Sequence, residues 1–263
     1  MKKELQYLLV CPSCRREMKL TAEEWEGKEI KEGAFICVCG KSYPIKNYIP
    51  RFISGDEYAG SFSFEWNKHR TTQLDSARKS TESEDKFKGS FDFPLDDLKG
   101  KTVLDAGCGM GRFAEIVLKY GGTIVGMDLS YAVDAAFRNM GTKNGVHFIQ
   151  ASLFAIPFKE GSFDVIYSLG VLHHTPDPRK AFLNLIRYLK PGGKISVTLY
   201  SAYNKVYVAS VLFWRGIAKH LPRRLLYDLC HVSVPLYYLY KIPYVGRVFQ
   251  VFFQISLHQD WRW

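Results

Sequence analysis

The sequence has no apolar run long enough to cross a membrane as a helix. Its longest candidate, Val206 to Trp214, ends at Arg215, whereas a spanning helix needs about 18 or more apolar residues. The apolar stretch Leu8 to Val10 is also too short for the core of a secretion signal. We therefore expect a cytoplasmic protein without a transmembrane helix.

Acidic side chains are scarce at the C-terminal end. Residues 201–263 hold two of them against eight basic ones, which accounts for more than half of the formal net charge of +10, and they hold 14 of the 39 aromatic residues. A basic balance indicates an anionic partner such as nucleic acid, a membrane surface or an acidic substrate. The 263 residues are 47% hydrophobic, which excludes a disordered or collagen-like chain.

Four of the six cysteines form two close pairs, Cys11 with Cys14 and Cys37 with Cys39. Two such pairs can place four thiolates tetrahedrally, as structural Zn²⁺ requires, and Gly40 suits the tight knuckle after the last cysteine. A segment of roughly 50 residues has too small a hydrophobic core to fold without an additional stabilising element such as a bound metal ion. We predict a structural zinc site, with four reduced core cysteines or a redox pair as alternatives.

The segment 35–52 adds a second pattern to the cysteine pairs, namely Tyr43-Pro-Ile45 followed by Ile49-Pro50. With these motifs it resembles the small zinc-ribbon-like proteins that activate eukaryotic tRNA and rRNA methyltransferases, and their bacterial relatives. That family usually has Asp-Gly where this chain has Asn47-Tyr48. We therefore expect a different turn at this position.

Residues 54–100 are polar and predict a linker with a helical lead-in. Within them Phe62, Phe64 and Trp66 form an aromatic group that serves either as a packing anchor or as a cap on a ligand pocket.

From Thr102 onward, short β-branched or apolar runs alternate with helical stretches, which predicts βαβ units around a parallel sheet. The predicted strands cover 102–105, 123–128, 146–150, 163–168 and 194–200. The predicted helices include 112–120 and 179–189, and the second of these is expected to stop at Lys-Pro-Gly-Gly, 190–193.

The first of these strands leads into a glycine loop that enters a helix. Gly107, Gly109 and Gly111 remove side chains where a ligand must approach, and we expect the helix N-terminus to offer free N–H groups. Asp128 closes the next strand, where an acidic residue can bind both hydroxyls of a ribose. The loop is one residue shorter than a dinucleotide loop, and Asp105 would repel a pyrophosphate. A cationic donor such as S-adenosylmethionine is favoured.

Several motifs then follow in order, and with them residues 102–200 resemble the class I S-adenosylmethionine-dependent methyltransferases, including the ubiquinone and menaquinone C-methyltransferases. The matching motifs are the loop 105–111, Gly-Met-Asp at 126–128, Ile-Pro-Phe at 156–158, Ser-Phe-Asp at 162–164, Val-Leu-His-His at 171–174 and Leu-Lys-Pro-Gly-Gly at 189–193. The resemblance implies a Rossmann-like fold and S-adenosylmethionine as cofactor.

The same resemblance implies a role for individual residues. The three glycines would line the methionine and ribose portion, Asp128 would bind the ribose hydroxyls, and Asp105 would orient the loop and the donor's amino group. Ser152 stands where the family has a carboxylate for the adenine amino group, so adenine binding should rest more on the Leu153 N–H and apolar stacking. The candidate cofactor set also includes Cys108, Leu129 and Leu169.

Candidate catalytic residues follow the fourth predicted strand. A neutral imidazole of His173 or His174 can take a proton near pH 7, although transfer from a sulfonium needs mainly positioning, and His174 can instead serve the start of the next helix. The chain has 168–172 in place of the Asn/Asp-Pro-Pro-Tyr turn that grips exocyclic amines, and Cys108 lies within the cofactor loop. Base-directed DNA methylation is therefore disfavoured.

The remaining segment, 201–263, predicts helices over 205–219, 224–240 and 244–258. They form either a cap on the sheet or a lid over an apolar acceptor, and the lid implies peripheral membrane contact through anionic headgroups. The class I fold normally ends in a further helix and an antiparallel strand pair, so we expect an incomplete C-terminus. The lid residues would be Trp214, Tyr237, Tyr238, Phe252 and Phe253, with Arg223 and Arg224 for the headgroups.

We thus expect an α/β protein with a zinc-ribbon-like domain over 1–53, a linker over 54–100, a Rossmann-like core over 101–200 and a helical segment over 201–263. The expected function is methyl transfer from S-adenosylmethionine to a small molecule, such as a lipid-, quinone- or glycan-type intermediate. The acceptor and the oligomeric state are not encoded in any motif.

Two alternative functions stay open. In the first, the zinc module docks rRNA or tRNA for methylation; its ten basic and seven acidic side chains disfavour nucleic acid as partner. In the second, the chain is a non-catalytic scaffold, against which the presence of Asp105 and Asp128 argues.

Overall fold

The computed structural model describes residues 1–53, 59–199 and 205–222, together with residues 225, 226, 228, 229 and 242. The chain divides into two compact units, Met1–Leu199 and Tyr200–Trp263.

The N-terminal part of the first unit is a four-stranded antiparallel sheet in sequence order. Its strands are β1 (Met18–Glu26), β2 (Glu29–Cys37), β3 (Ser42–Lys46) and β4 (Ile49–Pro50), preceded by a 3₁₀ helix over Lys3–Leu8. A two-residue turn joins β3 to β4, and its residues Asn47 and Tyr48 both have positive φ, +50° and +67°. The pair fits a type I′ hairpin, which usually has glycine second. Tyr48 is held there by its hydroxyl, which donates to Glu26 at 2.6 Å, and by its ring, which stacks on Phe137.

Three short helices follow where the sequence predicted a linker with a helical lead-in. They are α1 (Gly60–Lys68), α2 (Asp75–Arg78) and α3 (Glu82–Lys88), with a 3₁₀ helix over Leu95–Leu98 before the next sheet. The Asp75 carboxylate joins α2 to α3, because it accepts hydrogen bonds from the backbone N–H groups of Ser83 and Glu84 at 3.0 and 2.9 Å. The segment is therefore packed structure with its own hydrogen bonds.

The second sheet has five parallel strands in the order β7-β6-β5-β8-β9. It comprises β5 (Thr102–Ala106), β6 (Thr123–Asp128), β7 (Val146–Gln150), β8 (Phe163–Leu169) and β9 (Leu189–Thr198), with the helices α4 (Ala114–Lys119), α5 (Ala132–Met140) and α6 (Pro178–Ile186) between them. This alternation and strand order confirm the Rossmann-like fold. The order reverses beside β5, so the carboxyl ends of β5 and β6 border the crevice where such sheets bind ligands.

The predicted boundaries differ most from the structure at the end of α6 and the start of β9. Lys190 to Gly193 does not stop a helix; α6 already ends at Ile186, and β9 begins at Leu189 with a bulge opposite β8. The start of α6 is well specified, because Asp177 caps it by accepting from the Lys180 N–H at 2.9 Å and Pro178 follows at the first helical position.

The antiparallel sheet and the parallel sheet share one hydrophobic core. Buried Leu5, Phe35 and Tyr43 belong to the same apolar cluster as Leu104 and Ile166 of the central strands. The contact is also made through the backbone. Residues 51–52 pair with the end of β7, so the outer edge of that strand is covered there rather than exposed.

The second unit contains α7 (Lys205–Ala218). The predicted helices over 224–240 and 244–258 lie outside the described residues apart from four isolated positions, as do all the predicted lid and headgroup residues except Trp214. Each helix in the part of the chain that the structure describes is too short or too polar to span a bilayer.

Candidate functional site

The loop between β5 and α4 carries three glycines in the left-handed backbone region. The φ angles of Gly107, Gly109 and Gly111 are +98°, +52° and +82°. A Cβ atom at Gly107 would lie 2.4 Å from the Val171 side chain, so a larger residue there would displace it. The sequence requirement for glycine is therefore both conformational and steric at this position.

The N–H groups of these three glycines are used within the protein. The Gly107 N–H donates to the Met127 carbonyl at 2.7 Å, the Gly109 N–H donates to the Asp128 carboxylate at 2.8 Å, and the Gly111 N–H donates to the Cys108 carbonyl at 2.9 Å. A phosphate cradle needs several such donors pointing at the ligand. The loop is therefore poorly equipped for a pyrophosphate.

Asp128 lies at the carboxyl end of β6, where its carboxylate is held by its own loop. Besides the bond from Gly109, it accepts from the Ser130 N–H at 2.8 Å and from the Ser130 hydroxyl at 2.7 Å. Burial raises the pKa of Asp128, and these hydrogen bonds oppose that increase. The carboxylate is thus fixed in orientation, and Oδ2, which accepts only the Gly109 N–H among these bonds, can accept a further one.

Asp105 lies on β5 and is 3% exposed. Burial raises the pKa of its carboxyl group to about 8, the charge of Asp128 acts in the same direction, and the Tyr167 hydroxyl opposes both. The buried Asp105 and the half-buried Asp128 favour a ligand that brings positive charge, because a cation offsets the desolvation of a carboxylate.

The neighbouring candidates Cys108, Leu129 and Leu169 lie around the same strand ends. Cys108 is buried in the glycine loop, and burial raises the pKa of its thiol well above the ordinary value. The Leu129 carbonyl accepts a hydrogen bond from Gln150 at 3.0 Å, and Leu169 is the last residue of β8. The inert thiol makes Cys108 a packing residue rather than a nucleophile.

Ser152 and Leu153 form a turn after β7. The Ser152 hydroxyl accepts from the Phe154 N–H at 3.2 Å, and the Leu153 carbonyl accepts from the Asn184 side chain at 2.6 Å. The second bond anchors the turn to α6. The serine hydroxyl therefore accepts a hydrogen bond within its own turn.

His173 and His174 occupy a 3₁₀ turn, Leu172–His174, just after β8. Their Nε2 atoms are 3.0 Å apart, so one imidazole donates to the other, and the ring of His174 meets the ring of Phe62 edge-on at 5.2 Å. The helix start that the sequence offered as an alternative role for His174 is served by Asp177 instead. The imidazole pair is therefore placed beside the strand ends, against α1.

Helix α1 covers the glycine loop, which places the aromatic group of the linker at the site. A Cβ atom at Gly109 would lie 3.3 Å from Nε1 of the Trp66 indole. Trp66 also packs against the buried cluster of Leu74, Met110 and Ala135. Trp66 is therefore a packing residue that also contacts the glycine loop, and its role as a cap on a ligand pocket stays a prediction.

Four residues near the site were not singled out by sequence motifs, namely Arg51, Ser130, Asp134 and Gln150. Arg51 and Asp134 form an ion pair at 2.6 Å although 83 positions separate them. Only Ser130, two residues after Asp128, carries a local signal, since serine there can hydrogen-bond the aspartate. The others are joined by the fold alone.

A second candidate site is the cysteine cluster. The Sγ atoms of Cys11, Cys14, Cys37 and Cys39 all lie within 4.8 Å of one another, with Cys14 and Cys37 at 3.4 Å and Cys11 and Cys39 at 3.7 Å. Tetrahedral ligands about 2.3 Å from Zn²⁺ stand about 3.8 Å apart, so the spacing suits that ion. Gly40 has a φ of +84° in the knuckle.

The thiols of this cluster differ in their surroundings. Burial acts to raise the pKa of Cys11, but hydrogen bonds from the Tyr43 hydroxyl and from backbone N–H groups outweigh it, and the pKa falls to about 6. A backbone hydrogen bond at Cys39 acts to lower the pKa of Cys37, yet burial and the adjacent thiols raise it to about 12. Adjacent thiolates repel one another, and a cation bound among them would offset this repulsion.

Comparison with known proteins finds a family match within the core. Residues 104–197 match the family described as a methyltransferase domain. The chain is 34% identical over 129 residues to a ubiquinone biosynthesis O-methyltransferase of Pseudomonas paraeruginosa, covering 48% of this chain and 56% of that protein. It is 30% identical over 128 residues to the protein of the same name in Coxiella burnetii, covering 48% and 55%. The chain thus spans little more than half the length of these relatives.

Among solved structures, the chain is similar to an S-adenosylmethionine-dependent methyltransferase of Mesorhizobium loti, with 28% identity, 40% of this chain and 48% of that chain covered, and a TM-score of 0.36. The family match covers all five parallel strands in whole or in part, from within β5 to within β9. Residues 104–197 are therefore similar to a methyltransferase domain, and they carry the parallel sheet of the fold.

Proposed function

We propose that the chain is a methyltransferase that transfers a methyl group from S-adenosylmethionine to a small molecule. The observation that carries the proposal is the placement of Asp105 and Asp128 at adjacent strand ends, beside a glycine loop whose N–H groups are engaged internally. Asp128 is oriented to accept from the two ribose hydroxyls. Asp105 supplies a buried negative charge for the donor's ammonium group.

S-adenosylmethionine, when bound, supplies a methyl group that is already activated on a sulfonium. The residues of the chain then have to position an acceptor in line and exclude water, which is the role of the α1 cover with Trp66 and Phe62. For a hydroxyl acceptor a proton must also leave. The unprotonated Nε2 of the His173–His174 pair can take it once its hydrogen bond to the other imidazole opens, and the contact of His174 with Phe62 keeps the pair at the covered side of the site.

The acceptor class follows from the relatives. Their names describe O-methyltransferases of ubiquinone biosynthesis, so we infer a quinone-type or phenolic hydroxyl for this chain. The test is transfer from radiolabelled S-adenosylmethionine to a catechol-type acceptor and to a total RNA extract, with a lipid extract as a third acceptor. Labelling of the catechol or lipid fraction supports the proposal. Labelling of RNA alone overturns it in favour of the RNA alternative.

We further propose that the four cysteines bind one structural Zn²⁺, with the domain boundary at residue 53. The mutual distances of the sulfurs support this, as does the small size of the antiparallel sheet around them. Metal analysis of the purified chain should give one equivalent of zinc. Clearly less than one equivalent after expression in zinc-supplemented medium overturns the assignment.

The second unit supports a proposal for location. Helix α7 exposes Leu212, Phe213, Trp214 and Ile217, and its last turn carries Arg215. An apolar surface beside basic residues suits an anionic membrane interface, so we propose a cytoplasmic protein that contacts membranes peripherally. Co-sedimentation with phosphatidylserine vesicles, reduced by Phe213→Glu, tests it. Equal amounts of wild-type and variant protein in the vesicle pellet argue against it.

A further inference from the structure

Arg51 follows β4 and reaches from the antiparallel sheet into the methyltransferase domain. Its side chain is 9% exposed. One guanidinium nitrogen donates to the Asp134 carboxylate at 2.6 Å, and the other donates to the Gln150 side-chain oxygen at 2.8 Å and lies 3.4 Å from the second Asp134 oxygen. Its guanidinium also stands 5.4 Å from the centre of the Tyr131 ring. All three partners belong to the methyltransferase domain.

These partners bracket the segment that follows Asp128. Gln150 links Arg51 to the start of this segment, because its side-chain amide donates to the Leu129 carbonyl at 3.0 Å. Asp134 lies in the first turn of α5 at the other end of the segment. The backbone reinforces the contact, since the Phe52 N–H donates to the Gln150 carbonyl at 2.8 Å. Residues 129–134 are therefore held at both ends by one side chain from outside the domain.

We propose that Arg51 is a positioning residue for the methyl donor, which holds the 129–134 segment so that Asp128 and Leu129 present the ribose and adenine contacts. The proposal rests on the proposed function, because it concerns the same donor site. Arg51 does not contact the reacting atoms and acts only through Asp134 and Gln150. The cysteine-rich module is then part of the donor site, beyond its contribution to stability.

The strength and direction of the guanidinium bonds explain why Arg51 can hold the segment in place. Charge-assisted, bidentate bonds to guanidinium are stronger and more directional than neutral ones, and a lysine cannot reproduce the fork. Removal of the guanidinium leaves Asp134 and Gln150 to find other partners. The segment between them then samples conformations in which Asp128 is misaligned, and donor affinity falls because the competent state is less populated.

Lys2 provides a matched control at the other end of β7. Its ammonium also reaches from the N-terminal module into the domain, where it donates to the carbonyls of Gly141 and Val146 at 2.5 and 3.2 Å, and its side chain is 10% exposed. Val146 begins β7, whereas Gln150 ends it. Loss of Lys2 therefore weakens the same interface without touching the donor end of the strand.

The experiment measures S-adenosylmethionine dissociation constants by calorimetry, with thermal unfolding in parallel, for the full chain and for Arg51→Gln, Arg51→Lys, Asp134→Asn and Lys2→Gln. We expect Arg51→Gln to weaken binding about tenfold, a typical coupling between sites, with Arg51→Lys in between. Asp134→Asn should weaken binding too. The double variant Arg51→Gln/Asp134→Asn should lose less binding free energy than the sum of the losses in the two single variants. Lys2→Gln should stay within about twofold of wild type.

Each possible result either supports or overturns the positioning role of Arg51. Wild-type affinity in both Arg51→Gln and Asp134→Asn overturns the positioning role while leaving the proposed function intact. An equal loss in Lys2→Gln and Arg51→Gln shows that interface stability alone is responsible, and this also overturns it. If Arg51→Gln does not fold, Asp134→Asn and its calorimetry carry the test. Absence of binding by the wild-type chain would remove the proposed function and this inference together.

Discussion

The backbone N–H of Gly109 donates a hydrogen bond to the carboxylate of Asp128 at 2.8 Å, so the glycine loop and the acidic end of β6 form one unit. The bond ties the first two strands of the sheet together at the end where a ligand approaches. It also explains why the loop needs a residue with positive φ at this position, since the N–H must turn back toward the neighbouring strand.

Replacement of Asp128 by asparagine should weaken S-adenosylmethionine binding about 10- to 100-fold, because hydrogen bonds to a charged group contribute about 1.5–3 kcal/mol each. Asp164→Asn is the control. Asp164 also accepts a backbone hydrogen bond within the sheet, from Thr102 at 2.9 Å, but it lies near the opposite end of β8. Calorimetry should separate the two variants; equal affinities would contradict the role of Asp128.

The pKa of Asp105 predicts pH-dependent donor binding. Burial raises that pKa to about 8, so the carboxyl group is mostly protonated at pH 7, and the donor's ammonium favours the ionised form. Binding below pH 8 should therefore release a proton, and affinity should rise with pH up to about 8. Calorimetry at pH 7 in buffers of different ionisation enthalpy measures the release. Asp105→Asn should abolish it, and unchanged proton release in that variant would rule out Asp105 as its source.

The same pKa has a consequence for the ligand-free protein. Because the folded-state value lies above the unfolded value, the folded chain binds more protons between about pH 4 and pH 8, and the contribution of Asp105 to stability falls as pH rises through that range. Asp105→Asn should therefore raise the midpoint of thermal unfolding at pH 8 more than at pH 5. A uniform shift at both pH values would contradict the raised pKa.

Gly107→Ala should destabilise the fold by about 2–5 kcal/mol, the sum of left-handed backbone strain and overpacking against Val171. Gly100→Ala is matched in backbone conformation, since Gly100 has a φ of +71°. A Cβ atom added at Gly100 would meet no atom within 4 Å, so this variant should lose only the strain energy, about 1–2 kcal/mol. Denaturant unfolding measures both. Equal losses would show that the Val171 contact adds nothing.

Removal of one cysteine sulfur should release the metal that we propose. Cys14→Ser should lower the zinc content from one equivalent and lower the unfolding temperature of the first unit as a whole, because the antiparallel sheet shares its core with the parallel sheet. Cys108→Ala is the control for metal content, since Cys108 lies in the glycine loop and should keep one equivalent. Equal zinc content in both variants would refute the site.

The parts of the fold that sequence reasoning predicted are those with local signals. The strands at 123–128 and 146–150 coincide with β6 and β7, because each is a short apolar run bounded by turn residues. The end of α6 was placed too late, because Leu189 and the Pro-Gly residues after it join β9 as a bulged strand. Helix α5 was expected only as one of the helices between the strands, and the sequence reasoning gave it no bounds.

The residues of the candidate site also divide into those with a local sequence signal and those that only the fold brings together. The glycine loop and the two aspartates were predictable, since their spacing follows from one strand-loop-helix unit. Arg51 was not, because its partners lie more than eighty residues away and no pattern in the sequence links them. The Trp66 contact with Gly109 also depends on how α1 folds back over the loop, which the polar composition of 54–100 does not specify.

Calorimetric titration of the full chain with S-adenosylmethionine, compared with NAD⁺, tests the central claim most directly. The buried carboxyl groups and the internally bonded loop predict one bound S-adenosylmethionine per chain and no measurable binding of the dinucleotide. Tight NAD⁺ binding, or no heat with S-adenosylmethionine, would contradict the account.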